Sequence, residues 1–124
     1  RRVMSDKTFR ACHRHARISA RKARPVADLV RGRPVNSALE ELMATHRRAS
    51  PMIQKVIRSA MANAGQDLDV DVNRLYVSDL RIDEGPTLKR WRPRAQGRVY
   101  PILKRSSHIS VILEEAPAEP EEQD

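Results

Sequence analysis

LYVSDLRIDEGPTLKRWRPRAQGRVYPILKRSSHISVIL, residues 75–113, sets two alternating apolar segments on either side of a run with seven cations and no acid. At the start Leu75 and Val77 share one parity, while Leu80 and Ile82 share the other. A strand with a bulge or sharp twist near Ser78 and Asp79 reconciles the two. At the end, residues 108–113 (HISVIL) put Ile109, Val111 and Leu113 on one face of a second strand. Between them, residues 83–106 (DEGPTLKRWRPRAQGRVYPILKRS) have no continuous apolar face. Antiparallel strands with a long connection fit this pattern, so the segment is expected to be a basic β-hairpin whose tip protrudes beyond the core.

Upstream, the period changes to that of helices. Residues 13–19 (HRHARIS) alternate, with Ala16 and Ile18 on one face, and predict a short half-buried strand. Ser19 suits the N-cap of a following helix and Gly32 its stop, with Val26, Leu29 and Val30 as the inward stripe. Pro25 lacks the N–H that would bond back to Arg21, which moves the expected start of the regular helix to about Arg24. Residues 36–44 (NSALEELMA) predict a second helix with Ala38, Leu39, Leu42 and Met43 inward. A third covers about 47–64, with Ile53, Val56, Ile57, Ala60, Met61 and Ala64 inward, Gly65 at its end, and Ser50 before Pro51 or Thr45 at its start. The expected class is α+β: three helices packed on a small antiparallel sheet, with a long protruding basic β-hairpin. Residues 1–12 form an N-terminal extension, 13–113 a single domain, and 114–124 (EEAPAEPEEQD) an acidic, disordered tail.

The charge is sorted along the chain. Residues 1–33 hold 11 Lys/Arg against 2 acids and residues 85–113 hold 7 against none. The stretch 34–84 holds 6 against 8, and the tail none against 6. Charge needed only for solubility would be mixed in sign; this segregation, under a net +8, points to a polyanionic partner. Cys12 is the lone cysteine, which excludes an internal disulfide and favours a reducing compartment. No apolar run approaches the ~20 residues of a membrane span, and the Arg-rich start lacks the apolar stretch of a secretory signal. A soluble intracellular protein is expected.

Two segments carry the charge that an RNA partner would read. In the hairpin these are Lys89, Arg90, Arg92, Arg94, Arg98, Lys104 and Arg105, guanidinium groups that fork onto phosphates or stack on bases. Trp91, between Arg90 and Arg92, is expected to stack or wedge against RNA rather than enter the core. The second segment, RHARISARKAR (14–24), supplies Arg14, Arg17, Arg21, Lys22 and Arg24. Its cations in the first helical turns oppose the macrodipole, a mild cost that makes sense where phosphates approach. Asp67, Asp69, Asp71 and Asn73 imitate the opening of a calcium loop, but Val72 and Ser78 stand where that loop needs Gly and Glu. Cys12, His13 and His15 lack a second ligand pair at zinc spacing, and His108 reads as a strand end. Neither a metal nor a cofactor is expected. No nucleophile–base set argues for catalysis.

The runs ISARKARPVADLVRG (18–32), KVIRSAMANA (55–64), LYVSDLRIDEGPTLKRWRPRAQGR (75–98) and ILKRSSHISVIL (102–113) resemble the universal large-subunit ribosomal protein family numbered twenty-two, in its bacterial form. The likeness covers about residues 13–113; Pro25 stands where that family usually has an aliphatic residue. The resemblance implies a small α/β domain on the large subunit that binds large-subunit rRNA and supports early assembly. It implies an extended hairpin that reaches the peptide exit tunnel, with a tunnel-lining tip at Leu88, Lys89, Arg90, Trp91, Arg92, Pro93 and Arg94. The implied partners are large-subunit rRNA, neighbouring ribosomal proteins and the nascent peptide, with no self-association. The implied place is the cytoplasm, in a bacterial ribosome as the more expected source than an organellar one, the sequence showing no transit-like leader. The competing class is a free-standing basic nucleic-acid-binding or architectural protein. The two part on salt dependence, because purely electrostatic binding falls steeply with salt and ignores sequence. An enzyme acting on nucleic acid is the third class, for which the sequence supplies no catalytic constellation.

Overall fold

The structure is a computed structural model that describes residues 8–93, 95–97 and 99–116. Its strands are β1 (Thr8–Ala16), β2 (Leu75–Glu84), β3 (Leu88–Pro93), β4 (Val99–Lys104) and β5 (Ser107–Glu115), and its helices α1 (Ala20–Val30), α2 (Val35–Ala44) and α3 (Ala49–Gly65). Alternation along β5 turns Ile109, Val111 and Leu113 inward, where all three are fully buried. Both flanking strands pair antiparallel to it, in the order β1-β5-β2. Register sets Phe9, Ala11 and His13 of β1 beside Leu113, Val111 and Ile109, and Val77, Leu80 and Ile82 of β2 on the other side. Ser78 is the extra residue between Val77 and Asp79, so the bulge falls where the change of parity requires it, and Leu75, Val77, Leu80 and Ile82 are all buried.

The helices cover this inward face: α3 lies on β1 and β5, α1 on β2, and α2 against both other helices. Ser19 caps α1, its hydroxyl accepting from the Lys22 N–H at 3.3 Å, and Gly32 ends it at φ +84°, a left-handed position that glycine takes without strain. The helix starts at Ala20 rather than Arg24. Pro25 is exposed, and the only helical bond it removes is the one back to the Arg21 carbonyl, in the first turn. The cap and five buried residues (Ala20, Ala23, Val26, Ala27, Val30) outweigh that loss. Leu29 and Met43, expected inward, are 40% and 64% exposed, because alanines let the helices approach the sheet closely and the stripe runs through them instead. Ile53, Val56, Ile57, Ala60 and Ala64 of α3 are buried as expected, with Met61 partly so. α3 starts at Ala49 with Arg48 at its N-cap; Ser50 lies buried in the first turn, and Thr45 closes α2, its hydroxyl donating to the Glu41 carbonyl at 2.8 Å.

Both sheet ends run further than the sequence implied. β1 is Thr8–Ala16 rather than 13–19; its first five residues were expected in the leading extension, and residues 1–7 lie outside the described residues. It ends where His15, at φ +59°, breaks the register between His13 and Ala16. β5 takes in Glu114 and Glu115, assigned above to the tail. Glu114 is buried and accepts from the Tyr76 hydroxyl at 2.9 Å, and Glu115 pairs with Arg74 at 3.5 Å. Residues 117–124, the rest of the expected tail, lie outside the described residues.

The outer edge of β2 is closed by the chain that leaves α1. The Gly32 N–H donates to the Val77 carbonyl and the Val77 N–H to the Arg33 carbonyl, both at 2.9 Å. Arg31 donates from Nε and Nη2 to the Leu80 carbonyl, so edge groups that could template another strand are occupied. β3 and β4 stand apart as a separate two-stranded sheet, and every β3 residue is exposed.

This division predicts a large contrast in chemical denaturation. Leu113→Ala, in the core, is expected to lower the unfolding free energy by about 2–5 kcal/mol. Leu88→Ala, on β3, is expected to change it by less than about 0.5 kcal/mol. Equal losses would mean that the hairpin shares the core.

Candidate nucleic-acid interface

In the antiparallel β3–β4 ladder Leu88 faces Lys104, Arg90 faces Ile102 and Trp91 faces Pro101. Because successive strand residues alternate sides, Arg90, Arg92 and Lys104 share one face. The other face carries Trp91, Pro93, Val99, Pro101 and Leu103, with Lys89 its one cation among the described residues. Trp91 is 63% exposed, outside the core as expected, but it lies on the side opposite Arg90 and Arg92. The turn between the strands is at Ala95–Gly97, where Gln96 and Gly97 have φ of +69° and +73°. Leu88, Lys89, Arg90, Trp91, Arg92 and Pro93 therefore form the whole of one strand, short of the turn itself. Arg94 and Arg98 lie outside the described residues.

At the hairpin's base the ladder slips. Gly85 donates its N–H to the Ser106 carbonyl at 2.9 Å, and the next ladder pair is Leu88 with Lys104. Pro86 and Thr87 on one strand thus oppose Arg105 alone on the other, a bulge that re-aims the hairpin. Ser106 braces it by donating its hydroxyl to the Pro86 carbonyl at 2.6 Å. A Cβ on Gly85 would come within 2.6 Å of that hydroxyl oxygen, so glycine is what lets the strands close there.

Beside this base lies a groove of about 1510 Å³. The entry to α1 lines it with Arg17, Arg21 and Lys22, and the entry to α3 with Arg47 and Arg48. The hairpin supplies Arg90, Lys104 and Arg105, and no Asp or Glu is among the lining residues. None of these eight cations forms a salt bridge with a described residue. Neither helix carries an acid in its first turn, and α3 has no side-chain cap. Helix N-termini favour anions, so cations placed there concentrate positive potential at a point suited to phosphate.

Six of the expected contact residues, Arg17, Arg21, Lys22, Arg90, Lys104 and Arg105, converge on this groove although they come from opposite ends of the sequence. Arg14 on β1, and Lys89 and Arg92 on β3, are exposed but do not line it. Arg24 turns back to the sheet and donates from Nη2 to the Ile82 carbonyl at 3.3 Å. Arg47 and Arg48 were missed because they sit in a stretch whose average charge is near zero; a local pair of cations at a helix start was the available signal.

The remaining polar clusters do local work. Asp67 accepts from the Asp69 N–H and Asp71 from the Asn73 N–H, each at 3.0 Å, which are turn-forming bonds rather than a cation cage. The His108 ring, in β5, accepts the His15 N–H at its Nδ1 at 3.1 Å, and the two rings meet edge to face at 4.9 Å. Cys12 is exposed and accepts from the Ser110 hydroxyl at 3.4 Å. Among the described residues no group of three or more His, Cys, Asp or Glu could hold a metal ion, and no helix is long and apolar enough to cross a membrane.

A family model described as ribosomal protein L22p/L17e matches residues 11–114. The chain is 55% identical over 102 residues to a protein of Lacticaseibacillus casei named large ribosomal subunit protein uL22, covering 82% of this chain and 87% of that one. A protein of Lacticaseibacillus paracasei with the same name matches with the same identity and coverage.

If the groove seats phosphates, Arg47→Gln with Arg48→Gln lowers the slope of log affinity for RNA against log salt by roughly 1.4–1.8, at ~0.7–0.9 per lost contact. Affinity titrations from low to moderate salt measure this, with circular dichroism to confirm the fold. An unchanged slope would remove these residues from the interface.

Proposed function

The chain belongs to the ribosomal protein L22p/L17e family, and from that premise we propose that it is a structural constituent of the large ribosomal subunit. In this reading it binds large-subunit rRNA, supports assembly and lines the polypeptide exit tunnel with the β3–β4 hairpin. The observation that carries rRNA binding is the groove whose eight cations come from two helix starts and the hairpin base, with no acid among its lining residues. Surfaces of one sign at this density are suited to a phosphate backbone rather than to a protein of mixed charge.

The residues divide by role. Arg17, Arg21, Lys22, Lys104 and Arg105 hold backbone phosphates at the groove, joined by Arg47 and Arg48. Arg90, Arg92, Arg94 and Arg98 continue those contacts along the hairpin, Arg14 adds one from β1, and Arg24 is shared between RNA and the sheet edge. Lys89, Trp91 and Pro93 belong to the tunnel-side surface and meet the nascent peptide, while Leu88, the first residue of that tunnel-lining segment, lies on the groove side nearer the base. Trp91 stacks on a base or packs against the passing chain from a face separate from that of Arg90. Neighbouring ribosomal proteins complete the surroundings, the compartment is the bacterial cytoplasm, and the role is structural rather than enzymatic. Residues 13–113 act as one rRNA-binding unit.

Sedimentation of ribosomes tests this. The protein is expected to travel with large subunits and to survive a moderate salt wash; recovery as free protein at native abundance would overturn the reading in favour of a free-standing nucleic-acid binder. Arg90→Glu with Arg92→Glu is expected to shift the unfolding free energy of the isolated chain by less than about 0.5 kcal/mol while reducing the large-subunit peak. Ribosome profiles identical to wild type would sink the hairpin's role.

A further inference from the structure

We propose that the groove is a phosphate-backbone site shared by the helical body and the hairpin, and that the RNA lying in it sets the angle between the two. This rests on the RNA-binding reading above and adds a mechanical consequence. Apart from two hydrogen bonds at its base, from the Gly85 N–H to the Ser106 carbonyl and from the Ser106 hydroxyl to the Pro86 carbonyl, little else fixes that angle. β3 and β4 pair with each other rather than with the three-stranded sheet, and the ladder is interrupted at the Pro86 and Thr87 bulge. The apolar residues with which the hairpin borders the groove, Leu88 and Leu103, are 52% and 44% exposed, too open to lock its attitude by burial.

The electrostatics point the same way. Arg21, Lys22 and Arg47 stand on the body's wall, and Arg90, Lys104 and Arg105 on the hairpin's. Like charges on facing walls repel over a screening length of ~10 Å at 0.1 M salt, which favours an open hairpin in the free protein. A small anion can neutralise either wall without fixing the distance between them. A chain of linked phosphates neutralises both at once at a set spacing and so draws the walls to one separation. The ligand is therefore an RNA backbone rather than free phosphate. The hairpin's direction is acquired with the RNA, not carried by the folded chain alone.

The test uses the full chain with Cys12→Ser and spin labels at Arg58→Cys on α3 and Val99→Cys on β4, both exposed positions. Label-to-label distance distributions are measured without additive, with inorganic phosphate, and with a short large-subunit rRNA stem-loop at matched ionic strength; anisotropy reports binding in parallel. RNA is expected to narrow the distribution roughly twofold, phosphate to leave it broad, and Lys104→Glu with Arg105→Glu to abolish the narrowing. If that pair disturbs the fold by circular dichroism, Lys104→Gln with Arg105→Gln replaces it, with the same expectation. A distribution equally narrow without RNA would show the angle to be built into the protein and overturn the proposal. RNA that binds while the distribution stays broad would overturn it and leave RNA binding standing. Narrowing by phosphate alone would replace the backbone with a small-anion site. Absence of any RNA binding would overturn the functional reading and this inference together.

Discussion

The inward face of β5 is the constraint to which the other elements answer. Ile109, Val111 and Leu113 are buried because β1 and β2 pair on either side and the helices close over them. With aromatics so scarce, the core is made of aliphatic and alanine side chains, and alanines on α1 and α3 allow the close approach that compensates for lost bulk. Apolar burial is so concentrated in this layer that none of the hairpin's described side chains is fully buried. A packed body and a hairpin whose β3 residues are all exposed are two results of one allocation of side chains.

That allocation explains what could be read from the sequence. The core strand, the Ser78 bulge, the Ser19 cap and the Gly32 stop were legible because each is a local signal: a period, a change of parity, a hydroxyl or glycine at a helix end. The extension of β1 was not, since Phe9, Ala11 and His13 make a weak inward face that only β5 completes. Glu114 and Glu115 read as tail because their partners, Tyr76 and Arg74, lie about forty residues away in the chain. Leu29 and Met43 were misjudged because a stripe of large side chains competes with one of alanines, and packing distance decides between them. In the interface, two basic blocks were legible as composition. Their convergence, and the addition of Arg47 and Arg48, depends on tertiary placement of helix starts.

The same placement reverses an ordinary preference. Helices usually begin with acids, and here α1 carries Arg21 and Lys22 in its first turn and α3 follows directly on Arg47 and Arg48, all four facing the hairpin's own cations. Each choice opposes the dipole or a neighbour, and together they amount to local frustration in the free protein. Sequences keep such conflicts where a ligand relieves them. A polyanion removes the repulsion and releases its counterions in the same event, so strain in the isolated chain becomes binding free energy in the complex.

The hairpin's two faces extend this logic outward. Strand alternation separates Arg90 and Arg92 from Trp91 as surely as it separates core from solvent in β5. Reading 88–93 as one basic patch therefore conflates two surfaces with different chemistry: one suited to phosphates, the other offering Trp91, Pro101, Val99 and Leu103 to bases or to a polypeptide. In the proposed role, with RNA on one side of the hairpin and a polypeptide on the other, such a difference is needed, because a cationic surface all round would hold RNA on both sides. A one-residue slip in the β3–β4 register would exchange the faces of one strand. The bulge opposite Arg105 and the glycine at position 85, where any side chain would collide with Ser106, fix that register at the base. They thus determine which chemistry meets which neighbour.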